Sequence, residues 1–273
     1  MSEFKNKTVF ITGSTRGIGK AIGLRLAREG ANIVVTGKSS VPNPKLAGTI
    51  HSSAQEMIDA GGNAIALELD VREEGSVVHA INEAAKVFGG IDILVNNASA
   101  INLSGTEQLP MKRFDLMHQV NVRGTYMTSK YAIPHLKGSE NPHILNLSPP
   151  LNFQAHWFSP HLGYSMAKYG MSLCVLGMAD ELKKYDIAVN ALWPKTTIAT
   201  AAVQNLLGGD EVVRRSRIPD IVADSAYYIF KRKSTEATGN FYIDEEVMAE
   251  EGFTDLSAYS VEPGQDLFPD FFL

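Results

Sequence analysis

An apolar run, TVFIT at residues 8–12, passes without a gap into the glycine-rich stretch TGSTRGIG at 12–19, and a helical pattern, GIGKAIGLRLAREG, follows at once. Few architectures accept that order. A glycine turn between strand and helix lets the backbone reverse sharply at Gly13. Gly17 and Gly19 carry no side chain to hold a phosphate or another backbone away. The helix starting there aims its unpaired N–H groups at whatever occupies the turn. Gly13, Ser14, Thr15, Arg16, Gly17, Ile18 and Gly19 are therefore candidates to cradle a pyrophosphate.

Six further apolar runs follow: NIVVT (32–36), AIALEL (64–69), IDILVN (91–96), HILNL (143–147), IAVNAL (187–192) and NFYID (240–244). Most are apolar at nearly every position, as strands covered on both faces are. Helical patterns such as EGSVVHAINEAAKVFGG fill the gaps. The alternation predicts an α/β architecture, a doubly wound parallel sheet of seven strands with helices on both faces, the Rossmann fold. No repeat, low-complexity linker or composition shift divides the chain, so residues 1–273 read as a single domain. Two stretches break the rhythm. The loop GKSSVPNPKLAGT (37–49) exceeds the usual βα connection of about 2–6 residues. The arm at 248–273 is acidic and then aromatic, closing in LFPDFFL; an oligomer contact and packing on its own domain are both open.

The formal charge of −5 argues against nucleic acid or an anionic membrane as partner. Arg214, Arg215 and Arg217, and Lys231, Arg232 and Lys233, form two short basic clusters that read as solvated helix faces. The only cysteine, Cys174, stands in the apolar run MSLCVLGMA and reads as a small buried hydrophobe. Without an internal disulfide, signal-length opening or apolar run of membrane-spanning length, the expected location is a reducing compartment, the cytoplasm.

A dinucleotide site commonly places a carboxylate after the second strand, for the ribose 2′-hydroxyl. Here NIVVTGKSS has none, and no acidic residue occurs between Glu29 and Glu56. Lys38 just past the strand and Arg16 in the glycine loop are two cations suited to a 2′-phosphate. The expected cofactor is NADP(H).

YSMAK places Tyr164 and Lys168 one turn apart on one helix face. A phenol titrates near 10, too high for acid–base work at neutral pH. A neighbouring ammonium stabilises the phenolate, so the pair can move a proton to or from a carbonyl oxygen. TGSTRGIG, NNAS (96–99), NVRGTY from Asn121 and YSMAK stand in the order and spacing of the short-chain dehydrogenase/reductase family, which the chain resembles over nearly its whole length. A narrower likeness, carried by ILNLSPPLN, AKYGMSLCVLGMA and ALWPKT, is to the hydroxysteroid dehydrogenase-like branch. Its longer members add a sterol-carrier domain, for which this sequence leaves no room.

The resemblance implies Gly13 to Gly19 on the phosphates, Lys38 on the 2′-phosphate, Asp70 and Val71 at the adenine, and Asn97 and Ala98 beside the adenosine ribose. It implies Tyr164 as proton donor or acceptor, Lys168 on the nicotinamide ribose, and Asn121 holding a relay water. Pro194, Thr196 and Thr197 are expected to flank the nicotinamide. Lys195 and Ser99 replace glycines common in the family. It also implies a homo-oligomer, dimer or tetramer.

One departure bears on the chemistry. The family's fifth strand usually ends in two serines, the second bonding the substrate carbonyl; here that position is Pro149, without hydroxyl or N–H. Ser148 is the expected catalytic hydroxyl, although adjacent strand residues face opposite ways. Asn152, His156 and Ser159 are alternative donors, and Tyr164 with waters is a third arrangement. FQAHWF and His161 are expected to shape an apolar substrate pocket; no metal site is expected. The expected activity is hydride exchange between nicotinamide and a ketone or secondary alcohol, apolar or lipid-like. A non-catalytic NADP(H)-binding sensor or scaffold, and an enoyl reductase, are the alternatives.

Overall fold

Every apolar run forms a parallel strand: β1 (Thr8–Ile11), β2 (Asn32–Gly37), β3 (Asn63–Glu68), β4 (Ile93–Asn96), β5 (His143–Asn146), β6 (Ala188–Trp193) and β7 (Phe241–Ile243). The computed structural model describes residues 2–43 and 47–273; Pro44, Lys45 and Leu46, in the long loop read from the sequence, lie outside the described residues, as does Met1. Strand order is β3-β2-β1-β4-β5-β6-β7, which reverses direction between β1 and β4. In such sheets a crevice opens beyond the carboxyl ends of the strands at that reversal.

Alternation along each strand divides the core in two. Val9, Ile11, Ile33, Val35, Ile93 and Val95 join one apolar layer with residues of helices α1 (Gly17–Ala27), α2 (Ile50–Asp59) and α8 (Asp220–Lys231). Phe10, Val34, Leu94 and Ile144 face the other layer, with α3 (Glu74–Phe88), α5 (Gly124–Leu136) and α6 (Leu162–Glu181). Such two-sided burial is why the runs read as continuously apolar. Helix α4 (Met111–Met117) joins α5 through a π-helical segment, His118–Arg123, and two short helices, α7 (Gly209–Arg214) and α9 (Asp244–Glu250), complete the chain.

Three expectations change. Arg217 is not a solvated cation: it is buried, its Nε 2.8 Å from Glu245 Oε1 and its Nη1 donating to the Leu256 carbonyl at 2.7 Å. Cys174 is half-buried at the rim of a core layer, where desolvation pushes its thiol up to about 11. Met248 and Ala249 belong to α9, so the arm starts later than composition suggested.

His143 opens β5 in the interior, Nε2 lying 3.1 Å from the Arg232 carbonyl and the ring edge-on to Phe230. Burial pulls it from 6.5 down to about 4. The unfolded chain therefore takes up this proton first as pH falls. Its contribution is intact above about 6.5, erodes on acidification, and by about pH 4 has cost about 3 kcal/mol. Asp244, raised to about 7 by burial, runs the opposite way. The His143 share is therefore read as the stability difference between the native protein and His143→Gln in urea. That difference is expected to shrink by about 3 kcal/mol between pH 6.5 and 4; a pH-independent difference would show that the native ring takes up its proton normally.

Candidate active site

The cleft above the reversal holds about 350 Å³ and runs from the glycine loop to the start of α6. Gly13 and Gly17 sit at φ 69° and 55°, left-handed conformations that favour glycine. At Gly19 the reason is space: a Cβ would lie 2.4 Å from Asn97 Nδ2 and 2.8 Å from the Gly13 carbonyl. Among the described residues no side chain caps α1, so its first N–H groups stay available to an anion. Gly13, Arg16, Gly17 and Ile18 line the cleft.

Not every loop residue is a ligand. Ser14 is fully buried; its N–H donates to the Thr36 carbonyl at 2.9 Å, and its hydroxyl donates to Ile11 while accepting from the Thr36 N–H. It stitches β1 to β2 and has no free donor for a phosphate. Thr15 is likewise buried, its carbonyl accepting from Ser53 at 3.1 Å. Asn97 spends its amide on the loop, Nδ2 donating to the carbonyls of Thr12 and Gly13, each at 2.9 Å. Thr12 Oγ1 accepts from the N–H groups of both Asn97 and Ala98 at 3.0 Å. Asn97 and Ala98 thus fix the loop's shape while still lining the cleft.

Beyond β2, Arg16 turns onto the long loop, donating to the carbonyls of Ala47 and Gly48 and to Ser39 Oγ at 3.2 Å. Lys38 is mostly exposed, its ammonium 3.8 Å from Asp70. Asp70 is gripped by Arg72 Nε at 2.9 Å, which with the nearby Lys38 holds its carboxyl below the usual range. Arg72 is a third cation at this end that sequence reading passed over, since it lies beyond β3. Val71 is buried and packs on Gly124. The glycine cradle, the uncapped helix and the surplus of positive charge fit the phosphates of a nicotinamide dinucleotide.

At the other end, Tyr164 and Lys168 line the cleft from the first turns of α6. Burial, aided by the Asp270 carboxyl, raises the phenol above its ordinary value. Burial pulls the Lys168 ammonium down to about 7, against the pull of Asp270 in the other direction. Lys168 Nζ donates to the Leu147 carbonyl at 2.7 Å and lies 5.0 Å above the Trp193 ring.

Four expected residues stand elsewhere. Ser148 is fully buried, does not line the cleft, and its hydroxyl has no partner among the described residues; Leu147 faces the cleft instead, as strand alternation requires. Asn121, in the π-helical segment, spends both ends of its amide on Ala100, accepting from its N–H at 2.7 Å and donating to its carbonyl at 3.0 Å. That pins the loop after β4, the two bonds using one of the amide's two N–H donors and one of its oxygen's two lone pairs. Thr196 and Thr197 also turn away: Thr197 Oγ1 pairs with Ser216 at 2.7 Å, and Thr196 forms a bridge with Pro269. Pro194 does line the cleft, with Ile198 and the 200–203 segment beyond it. None of the alternative donors Asn152, His156 and Ser159 lines it. His161 Nδ1 is 3.0 Å from Ser165 Oγ.

A residue that no motif marked completes the site. The C-terminal arm folds back on its own domain and sets Asp270 among the cleft's lining residues, beside Tyr164 and Lys168. Phe272 drives into an aromatic box of Trp157, His161, Tyr164, Tyr169 and Trp193.

The model of the short chain dehydrogenase family matches residues 7–209. Hydroxysteroid dehydrogenase-like protein 2 of Danio rerio is 58% identical over 266 residues, 97% of this chain and 63% of that protein. Its Homo sapiens counterpart is 55% identical over the same shares. The chain therefore spans less than two thirds of the length of these curated relatives. A solved short chain dehydrogenase from Mycobacterium thermoresistibile is 52% identical, with a TM-score of 0.94 over 99% of this chain and 96% of that one.

Proposed function

The chain belongs to the short-chain dehydrogenase/reductase family, and on that premise we propose that it is an NADP(H)-dependent oxidoreductase interconverting a ketone and a secondary alcohol. The observation that carries the reading is the placing of Tyr164 and Lys168 in the same cleft as the glycine loop. Bound nicotinamide would supply or accept the hydride. Gly13, Gly17, Ile18 and Gly19 hold the diphosphate on backbone N–H groups at the α1 terminus. Tyr164 O–H gives its proton to the carbonyl oxygen as the carbon is reduced, and takes one back in the reverse direction. Lys168 steadies the phenolate so formed and holds the ribose beside it. The apolar walls Leu147, Trp193, Ile198 and Val203 support an apolar substrate.

Arg16, Lys38 and Arg72 support NADP(H) over NAD(H), because each can donate a charge-assisted bond to the 2′-phosphate. Lys38→Ala is expected to weaken NADPH binding about 10-fold and leave NADH binding unchanged, measured by fluorescence titration. NADH bound as tightly as NADPH by the native protein would reverse the assignment. Activity is tested by NADPH oxidation over ketones and aldehydes from small to lipid-like. Tight NADPH binding without turnover of any of them would favour a nucleotide-binding sensor or scaffold. Exposed Tyr126 on α5 and Leu173 and Leu176 on α6 support self-association, which sedimentation would measure.

A further inference from the structure

Asp270 is held in the cleft by a seat built for it. The Phe268 carbonyl accepts from the Thr197 N–H at 2.9 Å, and the Asp270 N–H donates to the Lys195 carbonyl at 3.1 Å. One carboxyl oxygen accepts from the Phe271 N–H at 2.7 Å, and the Phe271 carbonyl accepts from Trp193 Nε1 at 2.9 Å. The second oxygen has no partner among the described residues. Asp270 is the only carboxyl among the cleft's lining residues, and it interacts electrostatically with both Tyr164 and Lys168.

Reduction of a carbonyl builds negative charge on its oxygen, and one donor, the Tyr164 hydroxyl, is already there. A second fixed donor commonly contributes about 10²-fold in rate. Pro149 offers none, and Ser148 faces away. We propose that Asp270 is a catalytic residue whose protonated carboxyl donates a hydrogen bond to the substrate's carbonyl oxygen while Tyr164 transfers the proton. The bond orients and polarises; the Asp270 proton stays on Asp270, so the reaction's balance is that of Tyr164 alone. This rests on the oxidoreductase reading above.

The surroundings favour the neutral acid. Desolvation raises Asp270 to about 7, against the Phe271 N–H and Lys168, which favour the ionised form. Tyr164 and Lys168 face it from α6, and His161 stands at that helix's start against Phe271. Lys195, across the backbone bond, turns its ammonium to Glu245 at 3.7 Å, and its N–H is held by Asp244. Arg215 lies over the Phe268 ring at 5.6 Å. An ionised carboxylate would repel the oxygen it faces, so reduction slows as Asp270 loses its proton.

Ser99 also lines the cleft and carries a hydroxyl, so the test compares the native protein with Asp270→Ala, Asp270→Asn and Ser99→Ala on the ketone turned over fastest. Asp270→Ala is expected to lower kcat about 10²-fold with NADPH affinity unchanged. Asp270→Asn keeps a donor and the tail's seat, so it should retain kcat within about 10-fold and show a shallower fall in rate above about pH 7 than the native protein, the remaining fall belonging to Lys168. In the protein alone, a native-minus-Asp270→Asn infrared difference spectrum should show a protonated-carboxyl band at pH 6 that fades above about pH 8. An unaffected Asp270→Ala, an Asp270→Asn as slow as the alanine variant, a loss confined to Ser99→Ala, or no such band would each overturn the proposal. A native protein inert toward every carbonyl would overturn the oxidoreductase reading, and this assignment with it.

Discussion

Tyr164→Phe is expected to lower kcat for ketone reduction by roughly 10²–10⁴-fold, the range removed with a positioned general acid, while NADPH affinity and thermal stability stay at native values. The second half of that expectation comes from the structure. Tyr164 is buried in the aromatic cluster, yet its hydroxyl makes no hydrogen bond among the described residues and faces the cleft. Removing it leaves the ring's packing intact and strands no partner, so the variant loses chemistry alone. Direction follows from the phenol's environment. Burial holds it protonated, the form that gives a proton in reduction. Oxidation needs the phenolate, and its rate should climb through the alkaline range. Phenylalanine at 164 with native turnover would remove the tyrosine from the mechanism.

Much of this was legible in the sequence because it rests on local chemistry. Strand limits fall within about two residues of the apolar runs, since strands buried on both faces admit few polar side chains. Gly13, Gly17 and Gly19 announce a backbone requirement, and Tyr164 with Lys168 a helix-face spacing. What escaped depends on where separate segments meet. Nothing in TGSTRGIG says that Ser14 ties two strands together, nor in NVRGTY that Asn121 is spent on Ala100. The two threonines of WPKTT read as cofactor ligands, but they hold the end of the chain, some seventy residues on. Asp270 has no neighbouring motif at all; only the arm's return across the sheet gives it a role.

That return depends on one ring. Phe272 is fully buried at φ 73°, a left-handed conformation that costs a bulky residue about 1–2 kcal/mol. Its five aromatic neighbours, with centroids between 5.4 Å (Tyr169) and 6.2 Å (Tyr164), must repay that strain. Truncating such a ring typically loses about 3–5 kcal/mol. Beyond Phe268, the tail is hydrogen-bonded to the domain only by the Asp270 N–H to Lys195 and the Phe271 carbonyl to Trp193 among the described residues, too few to absorb that loss. The sheet and the two main core layers do not include Phe272, so the damage should be local opening rather than global unfolding. Phe272→Ala is accordingly expected to speed hydrogen exchange at the Asp270 and Phe271 amides by on the order of 10²-fold, with the β1 and β4 amides unchanged. Turnover should fall about as far as in Asp270→Ala, because the carboxyl loses its seat. Phe272→Leu, which keeps most of the buried volume, should recover a large part of both. Native exchange at those amides in the alanine variant would mean that the arm is latched by its backbone, and that the aromatic box serves only to wall the substrate pocket.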